Sequence, residues 1–563
     1  MLLRGILIAV TALGVGACSE RRVSTEQDSS STSNSKSAET GGNNAASRVV
    51  GSAMGTGGTV NPSMVMPPGM MPGVPLMPVA GGTVPGVTTP GVATPGVTTP
   101  PATAAAVVDF QYLPMLTDSD GNPNDNNATY NLTVDANVAV KVVTPTGTWT
   151  TPMMRYNSLQ LPPVIVAKRG TNIRVNVQNR LAQPTTVHWH GFKIPAVQDG
   201  GPDEPIAVGA SRTYNYQISQ AAAPLWFHPH AEGSTAVQVY SGLAGAFVIT
   251  DDITQNLETT KQLPSGAYDI PLLVQDRSFL PANAAGVRGL AYGGMMAGMF
   301  GMLGDRMLVN GVEQPTLSVN TRQYRFKIFN ASNARNYDFA LSNGAAFSVI
   351  ATDGGLLPTP VRADHVLLSA GERAEIVVDF RTMALNSTVS LVNRLVAAGT
   401  TASELMRFTV ATQAVDDVTL YASLPANADI NQRLLAASAT AGRTFVMNMV
   451  GMMQFAINSK LFNIGRIDEL AANGATEVWT ISNATMMAHP FHAHAIQWQV
   501  LDRSGVPANG VDLGWKDTVL VQPGETVRII GKFDPIINKG LYFYHCHILE
   551  HEDAGMMGTF FIQ

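Results

Sequence analysis

The histidines of this chain matter for where they fall rather than for their number, which is eleven. Eight of them form four His-x-His pairs: His188/His190, His228/His230, His492/His494 and His545/His547. In a strand, residues i and i+2 point to one face, so each pair aims two imidazoles at one place. One such pair is a weak signal and often fortuitous; four are not. Two pairs lie early in the folding part of the chain and two at its end, so a shared site must sit between those parts. Eight convergent imidazoles exceed the four ligands of one zinc ion. They suit a cluster of several copper ions, because imidazole favours copper.

Cys546 lies between His545 and His547. Strand alternation sends its thiolate to the opposite face. There it joins His551 and Met556 downstream and His489 upstream. Two histidines, a cysteine and a weak axial methionine make the blue-copper electron-transfer set. Ten of the eleven histidines are thereby used, and His365 is left as an ordinary residue. Bonded neighbours of Cys546 belong to the other set, which gives electrons a covalent route.

Such ligands need short strands to hold them. Ile173-Arg-Val-Asn-Val177 alternates apolar and polar residues, as a half-buried strand should. Similar runs start at Tyr214, Ala246, Tyr324, Ala374 and Thr526, with Gly, Pro and Asn clusters between them. Regularly spaced short strands with turn signals indicate β-sandwiches. No long helical periodicity stands out. A length of 563 residues gives a prior of three to four domains. Boundaries near 252 and 415 divide the folding part into 107–252, 253–415 and 416–563.

Composition narrows the class. Charged residues are 13% and hydrophobic ones 45%, so the chain is globular overall. The net charge of -6 argues against a nucleic-acid partner, which needs a basic footprint. Two cysteines exclude a disulfide scaffold. Residues 1–17 read as a signal: Arg4, a short apolar run, then small residues. The run Val15-Gly16-Ala17-Cys18 resembles a bacterial lipobox, which implies cleavage before Cys18, a lipid anchor on its thiol and an outer-membrane-tethered periplasmic lipoprotein. Residues 18–106, rich in Ser, Thr, Gly and Pro, read as a disordered tether. It carries Met54, Met64, Met66, Met70, Met71 and Met77, whose thioethers are soft enough for Cu(I).

Over about 107–563 the sequence resembles the bacterial three-domain multicopper oxidases. The runs that carry the resemblance are His188-Trp-His-Gly191, Trp226-Phe-His-Pro-His230, His489-Pro-Phe-His-Ala-His494 and His545-Cys-His-Ile-Leu-Glu-His-Glu-Asp-Ala-Gly-Met556. All four copper motifs stand in the family order. The resemblance implies an all-β chain of three cupredoxin-like Greek-key β-sandwich domains. It implies four copper ions, commonly in a monomer. Type 1 copper takes His489, Cys546, His551 and Met556. Type 2 takes His188 and His492. The type 3 pair takes His190, His228, His230, His494, His545 and His547. Ala493 and Ala495 depart from the family, where a bulkier residue and a glycine are common.

The implied reaction passes electrons from a reducing substrate to dioxygen, which becomes water. Protons must arrive as well, so carboxylates near the cluster are expected. Asp199 and Glu552 match acidic positions of bacterial members, although Asp199 before Gly200-Gly201-Pro202 could simply shape a turn. The donor is open between Cu(I), a phenol, and Fe(II) or Mn(II); copper sequestration is a further alternative. Phrases such as Asp353-Gly-Gly-Leu-Leu-Pro358, Gly371-Glu-Arg373 and Phe455-Ala-Ile-Asn458 are similar to those of periplasmic cuprous oxidases of copper tolerance. The glycine-rich run 293–302, with Met295, Met296, Met299 and Met302, reads as a loop whose thioethers could gather Cu(I).

Overall fold

Successive side chains of a strand face opposite ways, and the strand Asn172–Arg180 shows it: Ile173, Val175 and Val177 are buried while Asn172, Arg174 and Gln178 are exposed. The computed structural model describes residues 106–563, apart from 120, 123–125, 295, 397–402, 427 and 536–538. The signal, Cys18, the tether methionines and Met295 lie outside the described residues. The longest helix among the described residues is Asp252–Thr259, capped by a reciprocal Asp251–Thr254 pair. No helix among them is long and apolar enough to cross a membrane.

Strands stack into sandwiches with three separate cores. In the first unit, one layer holds Asn127–Thr144, Gly147–Tyr156, Asn172–Arg180 and Ser211–Gln217. The facing layer is a four-stranded sheet of Val164–Lys168, Gly245–Thr250, Pro224–His228 and His188–His190. Trp189, Phe227 and Phe247 fill the space between them. In the middle unit a five-stranded sheet, Thr316–Asn320 to His365–Leu368, faces strands such as Gln323–Asn330 and Arg373–Asp379 across Phe326, Phe380 and Phe408. The third unit packs a seven-stranded sheet on a five-stranded one around Trp479, Trp498 and Phe560.

The first and middle units share backbone. Val143 at the end of the first long strand pairs with Val312, which merges their outer layers into one eleven-stranded sheet. The third unit has sheets of its own. All the ligand-bearing strands lie in the sheets Pro224–His228/His188–His190 and Gly540–Cys546/His489–Ala493.

Candidate metal centre

Register places the imidazoles. His188 pairs with His228 across one strand pair, and His492 pairs with His545 across the other. Each His-x-His pair therefore projects from a sheet whose neighbour strand carries another. The rings meet between the first and third units. His188 stacks on His494 at 4.0 Å, and His190 on His492 at 3.9 Å. His190 Nδ1 lies 3.4 Å from His228 Nε2. His545 Nε2 lies 3.2 Å from His230 Nε2 and 3.3 Å from His494 Nε2. Ligand atoms within 4.8 Å of one another form the groups His190/His228/His547, His230/His494/His545 and His188/His190/His492. All eight rings are buried.

Four of the eight rings have an outer nitrogen held by oxygen. His188 Nδ1 donates to the Asp199 carbonyl at 3.0 Å, His228 Nδ1 to the Pro229 carbonyl at 2.8 Å, and His492 Nδ1 to the Asp517 carbonyl at 2.8 Å. His494 Nδ1 donates to Asp199 Oδ2 at 2.6 Å. An outer N–H so engaged fixes the tautomer and leaves a lone pair pointing inward. Accordingly His188 Nε2 and His492 Nε2 have no hydrogen-bond partner among the described residues. Burial, and then the neighbouring imidazoles, hold His228, His230, His492 and His494 well below the usual histidine range, so the rings are neutral. A nest of neutral, inward-pointing lone pairs fits borderline cations, copper among them.

The second group sits on the other face of the same strand. Cys546 Sγ is 3.4 Å from His489 Nδ1 and 3.8 Å from His551 Nδ1. Met556 is buried in the same core cluster, and its carbonyl accepts from the Cys546 N–H at 3.1 Å. Phe455 packs on both rings, 5.0 Å from His489 and 4.4 Å from His551. Burial pushes the Cys546 thiol up, so a bound cation must supply the charge that makes the thiolate.

Burial also pushes His489 down to about 3 and His551 to about 4. These folded values lie below the 6.5 of a free imidazole, so unfolding takes up protons as the pH drops. The stabilisation is whole above about pH 6.5 and is lost as pH falls toward 4. At about 1.4 kcal/mol for each pH unit of displacement, the loss is several kcal/mol. Copper-free protein should therefore melt at steadily lower temperature from pH 7 to pH 4. A flat melting profile over that range would refute the burial argument.

Both candidate carboxylates reach the cluster. Asp199 ends the short helix Ala196–Asp199, and Gly200 follows it at φ +78, packed against the Val187 carbonyl so that no side chain fits. The turn and the site are thus one device: it puts Oδ2 on His494. Glu552 lies on the opposite side, 3.1 Å from His545 Nδ1 and 3.4 Å from His230 Nδ1. His365 is exposed and pairs with Asp364. Ala495 adopts φ +64, which explains why glycine suits that position.

Three residues had no sequence signal of their own. Asp517 Oδ1 lies 3.0 Å from His190 Nε2, and Thr518 Oγ1 is 3.2 Å from His492 Nδ1. Arg373 grips Asp517 from the middle unit. Asp517 stands in Trp515-Lys-Asp-Thr518, a run without metal spacing, and Arg373 belongs to a phrase that carried resemblance but no role. Of the methionines, Met302, Met307, Met447 and Met557 are core. Met296, Met449, Met452 and Met486 are exposed.

β-sandwiches that enclose eight imidazoles, beside a Cys-His-His-Met pocket, define a copper redox protein. Models described as multicopper oxidase match residues 137–253, 280–405 and 431–563. The chain is 33% identical over 408 residues to the multicopper oxidase mco of Staphylococcus haemolyticus, which covers 72% of this chain and 82% of that protein. It is 32% identical over 468 residues to a laccase of Bacillus subtilis, which covers 72% of this chain and 89% of that protein. The crystal structure of the McoA multicopper oxidase from the hyperthermophile Aquifex aeolicus matches with a TM-score of 0.72 at 32% identity, covering 81% of this chain and 100% of that one. The chain belongs to the multicopper oxidase family. It is a copper-dependent oxidoreductase that takes electrons from a reducing substrate and passes them to dioxygen.

Proposed function

We propose that the protein is a cuprous oxidase of copper tolerance with four copper ions, taking Cu(I) as its reducing substrate. His489, Cys546, His551 and Met556 hold type 1 copper. His188 and His492 hold type 2. His190, His228 and His547 hold one ion of the type 3 pair, and His230, His494 and His545 hold the other. Bound there, copper supplies one-electron steps and the reduction of dioxygen, so that four Cu(I), one dioxygen and four protons give four Cu(II) and two waters. Cys546 holds His545 and His547 in peptide linkage to its own ligand set. Asp199 holds the outer nitrogen of His494, Glu552 stands beside His545 and His230, and both bring protons.

One observation carries the choice of donor. His551 Nε2, on the ring edge away from Cys546, meets the Met299 carbonyl at 3.1 Å. The methionine-rich loop thus covers the edge by which an organic donor would approach. A phenol site needs an open cleft with apolar walls there. The loop brings thioethers instead. Met296 is exposed on it, and Met453 packs beside Gly298, its Cε 4.0 Å from where a Cβ would stand. Met449 and Met452 sit exposed on the hairpin whose return strand, Gln454–Ile457, carries Phe455, and Met486 precedes His489. Thioethers hold Cu(I) in preference to harder ions, which disfavours Fe(II) and Mn(II).

The laccase reading draws on the relative of that name. Oxygen uptake separates the two. Full-length copper-loaded protein should consume oxygen rapidly with Cu(I), and oxidise a phenol only when Cu(II) is added. Fast phenol oxidation without added Cu(II) would make it a laccase. Uptake with neither donor would leave copper sequestration.

A further inference from the structure

The middle unit supplies no member of the imidazole groups, yet two of its residues press on them. Gly371, at φ +87, packs so closely that a Cβ there would lie 2.9 Å from the His547 ring. Arg373, fully buried, crosses to Asp517 in the third unit. Its Nη1 and Nη2 donate to the two carboxylate oxygens at 2.7 and 2.6 Å. Its Nε donates to the Pro224 carbonyl at 2.8 Å, at the start of the strand that ends in His228. The carbonyls of Gly371 and Asp353 take further donors at 3.0 Å. One guanidinium therefore ties all three units at a point beside the cluster. Its planar fork meets a carboxylate at two points, which a lysine ammonium cannot do.

Asp517 turns that anchorage toward the imidazoles. Oδ1 meets His190 Nε2 at 3.0 Å, and the main-chain carbonyl accepts from His492 Nδ1 at 2.8 Å. Those two rings are the stacked pair at 3.9 Å and 14°. Gln497 Nε2 donates to Oδ2 at 2.9 Å. Gly191 leaves the room: a Cβ there would collide with the Asp517 carboxylate and lie 2.9 Å from Arg373 Nη2. With Nε2 held, His190 has Nδ1 left for a metal; with Nδ1 held, His492 has Nε2.

We propose that Arg373 is a positioning residue of the trinuclear site: by fixing Asp517 it sets which nitrogen of His190 and of His492 faces the metal. One residue of the middle unit thereby aligns a type 3 ligand with a type 2 ligand. This rests on the ligand assignment above. Partners of metal-bound histidines typically change metal affinity by about 10- to 100-fold when removed.

The test uses the full chain loaded with copper. R373K and D517A should keep the blue type 1 absorption. They should lose copper, the type 2 paramagnetic signal and the type 3 absorption at 10- to 100-fold higher chelator sensitivity. Turnover should fall with any donor while the donor KM stays put, because the donor docks at the other site. R325K is the control, since Arg325 forms an equally buried pair with Glu375 in the same unit; it should leave the type 2 and type 3 signals intact. G191A, which crowds the pair without removing it, should behave like R373K. An R373K protein with full copper, full type 2 signal and full turnover overturns the proposal. So does parallel loss of type 1 and cluster signals in R373K and R325K alike. A wild-type protein that binds type 1 copper alone would overturn the ligand assignment as well, which R373K results cannot do.

Discussion

Replacing Cys546 by serine should erase the blue absorption and reduce oxidation of every donor to background. The thiol lies between His489 and His551, and burial, with the Glu552 charge nearby, keeps it protonated until a cation binds. A hydroxyl is a harder, less acidic ligand and forms no comparable bond to copper. Peptide links from Cys546 run directly to His545 and His547, so the same substitution removes the ligand and the start of the electron route. The eight imidazoles are untouched, and their copper signals should survive. Visible absorption, copper content and oxygen uptake of the purified variant decide the matter. Donor oxidation at a wild-type rate would mean that electrons enter elsewhere.

Asp199→Asn combined with Glu552→Gln should leave the blue band and copper content near normal while slowing oxygen reduction by about 100-fold, the lower range for loss of a proton-transfer group. The two carboxylates hold opposite sides of the cluster: Asp199 meets His494, and Glu552 lies beside His545 and His230. An amide oxygen can still accept from an imidazole N–H, so orientation is largely kept. What is lost is the negative charge and the capacity to carry a proton. Reduction of type 1 copper by a donor under nitrogen should proceed at the normal rate; its reoxidation by oxygen should be the slow step. A double variant that reoxidises at full speed would return both residues to a structural role.

The convergence of the imidazoles and the grouping of Cys546 with His489 and His551 were legible because their spacing is local. His-x-His within one strand and Cys546 between two histidines are read along the chain, and strand alternation does the rest. Alternating runs such as Ile173–Val177 exposed the sandwich layers for the same reason. What stayed hidden is what tertiary contact creates. Asp517 and Thr518 reach His190, and Arg373 reaches Asp517, across unit boundaries, and no periodicity marks them. The methionines divide likewise: Met302 and Met307 became core and Met296 and Met452 surface, which only packing decides. Asp199 was visible as a turn former and as a carboxylate, and it is both.

The shared eleven-stranded sheet bears on how the enzyme is put together. The first and middle units share that sheet through a single pairing, Val143 with Val312. The third unit meets them mainly through side chains: Lys516 on Asp353 and Glu372, Arg373 on Asp517, Asp553 on the main-chain N–H groups of Thr235 and Ala236, and Leu549 packed on Ala236 and Val239, with main-chain bonds at Gly354–Trp515 and Leu549–Asn333. The eight imidazoles lie between the first and third units and are closed off from solvent. Each imidazole group draws on both units, so an ion held there would tie the third unit to the first and stabilise the folded chain by its own binding energy.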